Sequence, residues 1–107
     1  MAIDATVESF HELVQRGNVL VDFWGPQCAP CLALMPHVEE MEGRYGGSLR
    51  VVKVNAPENR KICRDLRVIG LPTYVLYRSG DEVERLSGDP SLVDIERAVA
   101  RTLEGGN

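Results

Sequence analysis

Apolar residues along this 107-residue chain fall into blocks of two kinds, and the kinds alternate. Val7, Phe10 and Val14 recur at helical spacing behind Thr6, a good capping residue, and predict a first helix ending near Gly17. Val19-Leu20-Val21-Asp22-Phe23-Trp24 is nearly continuous in apolar character, as expected for a central strand covered on both faces. Leu34, Val38, Met41 and Tyr45 return to the helical period, with Pro36 inside the pattern, where proline loses a hydrogen bond and predicts a kink. Leu49 to Val54 reads as the next strand, and Asn59 to Leu66 as a short helix. Gly70-Leu71-Pro72-Thr73 leads into a strand, Tyr74 to Tyr77. Ser79-Gly80-Asp81 is a turn signal, and a further strand runs to about Leu86. So short a turn makes these two strands antiparallel. Asp89-Pro90 reads as a cap followed by proline at the first helical position. Leu92, Ile95, Val99 and Leu103 then share one face, with Asp94, Arg97 and Arg101 turned outward. Gly105-Gly106-Asn107 is expected to fray.

The order is helix, strand, helix, strand, helix, strand, strand, helix. That predicts an α/β sandwich, a mixed central sheet with helices on both faces. No repeat, low-complexity stretch or linker interrupts it, so residues 1–107 are read as one domain. A chain of this length buries roughly two thirds of its unfolded surface, enough for a core without metal or structural disulfides.

Charge narrows the function. A net charge of −4 argues against nucleic acid or an anionic membrane as the main partner. No apolar run is long enough to span a bilayer. Met1-Ala2-Ile3-Asp4 lacks the basic region and apolar stretch of a signal peptide, so the chain as given reads as cytoplasmic, with a mature form whose leader has been removed as the alternative. In that compartment a cysteine pair is more often catalytic or metal-binding than structural.

Cys28-Ala29-Pro30-Cys31 sits where the first strand hands over to the long helix. Backbone N–H groups and the helix dipole favour an anion at such a position, and a thiolate is one. The pattern points to dithiol–disulfide exchange. Cys28 attacks a target disulfide, and Cys31, one turn later on the same face, resolves the mixed disulfide. Pro30 stiffens the loop between them. Asp22 is a carboxylate in an otherwise apolar strand: either it lies near the strand end and faces water, or it is buried, in which case its pKa is raised and it can accept a proton from Cys31. Lys53, on the neighbouring strand, is its expected partner, its long stem reaching inward along apolar surface.

Half a zinc site is the other use of such a pair. Zinc takes four ligands, and Cys63, His11 and His37 are the spare ones, at no recognisable spacing. Cys63 lies beside Ile62 and Leu66 and reads as a small packing residue, with a regulatory thiol as the alternative. His11 and His37 are expected on helix surfaces and Met35 and Met41 in packing. Glu39, Glu40 and Glu42 read as a solvated helix face.

Together Val21-Asp22-Phe23-Trp24, Cys28-Ala29-Pro30-Cys31, Pro36, Lys53, Gly70-Leu71-Pro72-Thr73, Gly80 and Gly88 resemble the thioredoxin family over nearly the whole chain. The resemblance implies the thioredoxin-like three-layer sandwich and a protein-disulfide reductase without a bound cofactor. Its electrons would come through a thioredoxin reductase and pass to target proteins carrying disulfides. A monomer is the default expectation for its oligomeric state, which the sequence does not settle. Cys28 would attack, Cys31 resolve and Asp22 transfer the proton, with Lys53 near it. The Leu71–Pro72 bond would be cis and lie against the cysteines, and the Leu71 backbone would pair with an extended substrate. Trp24, Pro30, Gly70 and Gly88 would border the docking surface.

Three positions depart from the family pattern. Gln27 stands where tryptophan is usual, Ala29 where glycine is usual, and Leu32 where a cation is frequent. The first alters the contact surface, and the last removes a positive charge near the thiolate. Partner range is what these changes put in question. A scaffold module with incidental cysteines and a redox switch serving one partner are the competing functional readings.

Overall fold

The computed structural model describes residues 2–105. Five strands form one sheet in the order β1-β3-β2-β4-β5, where β1 is Ile3–Asp4, β2 Asn18–Trp24, β3 Arg50–Asn55, β4 Thr73–Arg78 and β5 Asp81–Leu86. The strands β1, β3 and β2 run parallel, and β4 and β5 are antiparallel to their neighbours. Four helices complete the fold: α1 Val7–Leu13, α2 Ala29–Arg44, α3 Arg60–Leu66 and α4 Leu92–Glu104. This is the mixed three-layer arrangement that the alternating periods predict.

The alternation of side chains along β2 divides the core in two. Val19, Val21 and Phe23 point to the face covered by α1 and α3, where they meet Phe10, Val14, Ile62 and Tyr77. Leu20 points to the other face and joins Val38 and Met41 of α2 and Ile95, Ala98 and Val99 of α4. Because side chains alternate strictly along a strand, Asp22 must share the α2 and α4 face with Leu20.

Several local details differ from the sequence expectations. β1 carries too little pattern to be seen as a strand: it is two residues long, and both are exposed. Its backbone pairs with Val52 and Lys53 instead. The first helix stops at Leu13 rather than near Gly17, which adopts a positive φ of 67° in the following turn. Asp89 does not cap the last helix, and Pro90 is not its first residue. Ser91 is the cap, its hydroxyl accepting from the Asp94 N–H at 3.1 Å while the Asp94 carboxylate accepts from the Ser91 N–H at 3.1 Å. This reciprocal box satisfies two otherwise orphaned donors. Asp89 instead takes a positive φ of 64° in the turn before it. The helix α2 continues through Pro36 without a break in its assignment. Gly106 and Asn107 of the expected fraying terminus lie outside the described residues. His11 and His37 are exposed, Met41 is buried and Met35 half-buried.

Candidate active site

At the C-terminal end of β2 the chain turns through Gly25, Pro26 and Gln27. The Cys28 N–H donates to the Gly25 carbonyl at 3.0 Å, which fixes the turn. Cys28 is then the N-cap of α2, with φ −98° and ψ 99°, and its sulfur accepts from the Cys31 N–H at 3.2 Å. The sulfur thus occupies the position that a serine or aspartate oxygen fills in an ordinary cap. Pro30 lies in the first turn, where a missing N–H is harmless. Cys28 and Cys31 are joined in a disulfide with 5.3 Å between their Cα atoms. They differ in access. Cys28 is half-buried, and Cys31 has no exposed surface.

Asp22 lies six residues upstream on the sheet face that α2 covers. It is completely buried, and neither carboxyl oxygen has a hydrogen-bond partner among the described residues. Desolvation pushes its pKa from the ordinary 3.8 up to about 7; the Lys53 charge opposes this rise and the Glu39 charge adds to it. In the sheet Asp22 stands between Lys53 of β3 and Tyr74 of β4. Tyr74 is fully buried, its hydroxyl has no hydrogen-bond partner among the described residues, and desolvation together with the Asp22 charge raises its pKa far above the usual value.

Lys53 is not bonded to Asp22 as the sequence suggests. Its Nζ lies 2.7 Å from the Glu39 carboxylate on α2 and 3.6 Å from that of Asp4 on β1. The ammonium thus meets two carboxylates that are both in contact with solvent. Burying an ammonium beside Asp22 would cost more solvation. Glu39 is therefore not part of a free solvated face. Nor is Glu42, whose carboxylate accepts from the Val51 N–H at 2.8 Å. Only Glu40 of the three keeps the predicted surface setting, paired at 2.9 Å with Arg44.

Glu39, Tyr74 and Asp4 are the members of this polar cluster that sequence reasoning missed. Glu39 is legible only after α2 is laid on the sheet, since its helix neighbours are also acidic. Tyr74 reads as an ordinary strand aromatic until its register opposite Asp22 is known.

The segment leading into β4 brings a second wall. The Leu71–Pro72 bond is cis, and Pro72 is buried. The Thr73 hydroxyl donates to the Gly70 carbonyl at 2.6 Å and ties the turn together. Leu71 packs onto the active-site turn so closely that a Cβ placed on Gly25 would lie 3.1 Å from its Cδ1. A side chain at position 25 would therefore push the end of Leu71 aside by a few tenths of an ångström. Gly70 is exposed beside it. Trp24 and Gly88 line different grooves. Trp24 is half-buried in a groove with Asp4, Asn55 and Glu58, and its Nε1 has no partner among the described residues. Gly88, with φ 74°, belongs to the loop between β5 and α4. Cys63 is half-buried against the α1 and α3 core, and burial raises its pKa. Among the described residues no three His, Cys, Asp or Glu side chains cluster as a metal site. No helix there is long and apolar enough to cross a membrane.

A disulfide that caps a helix, preceded on the incoming strand by a buried carboxyl with no hydrogen-bond partner among the described residues, defines a dithiol–disulfide redox centre. Comparison with known proteins makes the assignment specific. The thioredoxin family model matches residues 2–101. Thioredoxin of Acetoanaerobium sticklandii is 38% identical over 86 residues, covering 79% of this chain and 82% of the relative. Thioredoxin of Bacillus subtilis is 35% identical over 86 residues, covering 80% and 83%. The solved structure of Malassezia sympodialis thioredoxin superposes with a TM-score of 0.87 at 20% identity, covering 95% of this chain and 93% of that one, a likeness of fold. The chain belongs to the thioredoxin family. It is a thiol–disulfide oxidoreductase, with Cys28–Cys31 as its redox-active pair.

Proposed function

We propose that the protein reduces disulfides of target proteins, with Cys28 as the attacking thiolate and Cys31 as the resolving thiol. The observation that carries the assignment of roles is the unequal access of the two sulfurs: Cys28 is half-buried and Cys31 wholly buried. A target disulfide can reach only the first. In the dithiol form the Cys28 thiolate attacks one target sulfur, and the other target sulfur leaves as a thiolate that takes up a proton. Cys31 then loses its proton, attacks Cys28 Sγ, and displaces the target sulfur that Cys28 had attacked, which leaves as a thiolate and takes up the second proton. Two electrons and two protons pass to the target, and Cys28–Cys31 becomes the disulfide.

Asp22 is the acceptor for the Cys31 proton in this reading. A base is most effective when its pKa lies near the working pH, and burial has brought this one to about 7. Lys53 acts on it by charge rather than by contact. Pro72, Leu71, Gly70, Trp24, Pro30 and Gly88 are assigned to the surface that receives the target. No bound cofactor is needed, because the electrons reside in the two sulfurs. A thioredoxin reductase recharges them, and the protein works in the cytoplasm as a monomer.

Trapping and potential measurements test this. Cys31→Ser is expected to accumulate a mixed disulfide between Cys28 and a model target, and Cys28→Ser to lose reduction altogether. Reduction that survives in Cys28→Ser would remove the assignment. In graded dithiothreitol buffers the pair is expected near the thioredoxin scale, about −270 mV. A midpoint more than about 60 mV higher, a hundredfold in equilibrium constant, would turn the reading toward an isomerase-like role.

A further inference from the structure

A groove of about 350 Å³ opens between α3 and the segment entering β4, lined by Pro57, Arg60, Cys63, Arg64, Ile69 and Leu71 among others. Three features separate it from ordinary surface. First, Ile69 is 98% exposed, the most exposed large apolar side chain among the described residues. A single exposed isoleucine means little, but this one stands over a groove whose lining also includes Pro57, Val68 and Leu71. Second, the only charged residues of the lining are arginines. Arg60 and Arg64 are one helical turn apart and so share a face of α3. Elsewhere Arg44, Arg85 and Arg101 are each tied to glutamates. Arg60 and Arg64 have no ion pair among the described residues, and nearby Asp65 is taken by Lys61 at 2.8 Å. Third, the groove is continuous with the redox centre. Leu71 packs on Gly25, whose carbonyl holds the Cys28 N–H.

We propose that this groove is a specificity subsite for an extended segment of the target protein that carries acidic and apolar side chains next to its disulfide. The proposal rests on the disulfide-reductase reading above and names the substrate class for it. A strand of target chain bonded through its sulfur to Cys28 and continuing past Leu71 enters the groove. Its apolar side chains cover Ile69 and Pro57, and its carboxylates meet Arg60 and Arg64. The protein as a whole is acidic, with net charge −4, so an acidic target is repelled by most of the surface and drawn to this patch. That contrast orients the target as well as binding it.

The test uses three probes: a disulfide peptide flanked by Glu and Leu, the same peptide flanked by Lys and Leu, and an uncharged small-molecule disulfide. Rates of reduction by the dithiol form are read at low and high salt. Two surface ion pairs predict about a tenfold preference for the acidic peptide at low salt, shrinking toward unity as salt screens the charges. Arg60→Glu/Arg64→Glu is expected to reverse the preference and leave the small disulfide unaffected. Ile69→Ser is expected to slow both peptides. Equal rates on the two peptides, or a preference that the double variant leaves intact, would overturn the subsite. A cysteine-free acidic peptide supplies a readout independent of redox chemistry. It is expected to shift the Ile69 and Leu71 methyl resonances, and no shift would overturn the subsite. If the small disulfide is not reduced either, the reductase reading fails, and the methyl shifts still decide whether the groove binds. Self-association abolished by Ile69→Ser would assign the patch to a second copy of the chain and overturn the proposal.

Discussion

The two faces of the sheet are built on different terms. Beneath α1 and α3 the ionisable groups of the cluster are Tyr77 and the half-buried Cys63, and its aromatics pack closely: Phe10 is tilted against Phe23 at 6.4 Å and meets Tyr77 edge to face at 6.2 Å between ring centroids. Beneath α2 and α4 the same strands bury Asp22 and the Tyr74 hydroxyl without hydrogen-bond partners among the described residues. Unpaired buried polar atoms cost about 1–3 kcal/mol each. One face therefore supplies stability, and the other gives some of it up where the reacting sulfurs sit. Conflict between local chemistry and packing marks a functional region, and here it falls on one side of a single strand.

If the faces differ in this way, emptying the first must damage the fold and spare the chemistry. Phe23 is fully buried on the α1 and α3 face. Phe23→Ala is expected to cost about 3–5 kcal/mol in a denaturant titration, by lost transfer energy and a cavity. The rate of disulfide reduction per folded molecule is expected to stay within a few-fold. A loss of more than tenfold in folded protein would show that the faces are not separable.

The neighbouring residue is expected to behave in the opposite sense. Unfolded, the Asp22 carboxyl titrates near its ordinary value of 3.8; folded, near 7. Between those values the folded chain holds a proton that the unfolded chain has lost, so stability falls as pH rises through the window. Above it, a buried carboxylate bears its full desolvation cost. Asn carries no charge to desolvate. Asp22→Asn is thus expected to raise stability by about 2–4 kcal/mol near pH 8, an advantage that fades on acidification and is gone below about pH 4. Release of the target from the mixed disulfide is expected to slow by about a hundredfold, the low end for a lost proton acceptor. Paired denaturant titrations across pH decide it, and a variant less stable than the parent at pH 8 would contradict the assignment of cost to this face.

The same contrast explains what could be read from the sequence. Strand and helix periods disclose the layers because each long element has one dominant environment. The cysteine pair and Asp22 were legible because each breaks a local rule, a reactive pair at a helix start and a carboxylate in an apolar run. The partners of Lys53 were not. They are set by register between β1 and β3 and by the placement of α2, distances that no one-dimensional pattern carries. The strand β1 escaped for a related reason. Its two residues gain order from backbone pairing with β3, not from buried side chains. The capping of α4 escaped because Asp89-Pro90 and Ser91-Leu92-Val93-Asp94 are both good starts, and only the second completes a reciprocal box.

The smallest expected effect sharpens the comparison furthest, because it tests how the polar face is held in balance. Glu39 sits between two roles. Its charge raises the Asp22 pKa directly, and its carboxylate holds the Lys53 ammonium at 2.7 Å. Glu39→Gln removes both influences. Lys53 keeps Asp4 at 3.6 Å as its remaining partner, a contact with an exposed carboxylate that competes weakly. The ammonium is then free to swing toward Asp22, its cross-strand neighbour, and the Glu39 charge that raises the Asp22 pKa is gone. Both changes favour the ionised carboxylate, so the Asp22 titration followed by carboxyl carbon resonance is expected to move down from about 7. Target release is then expected to keep its full rate to lower pH, because the acceptor stays ionised further into acid. An unchanged or raised Asp22 titration would mean that burial alone sets the carboxyl and that the ion pairs above it are ordinary surface chemistry. In the expected case, the polar face is tuned by a helix residue that looks, in sequence, like one more solvated glutamate.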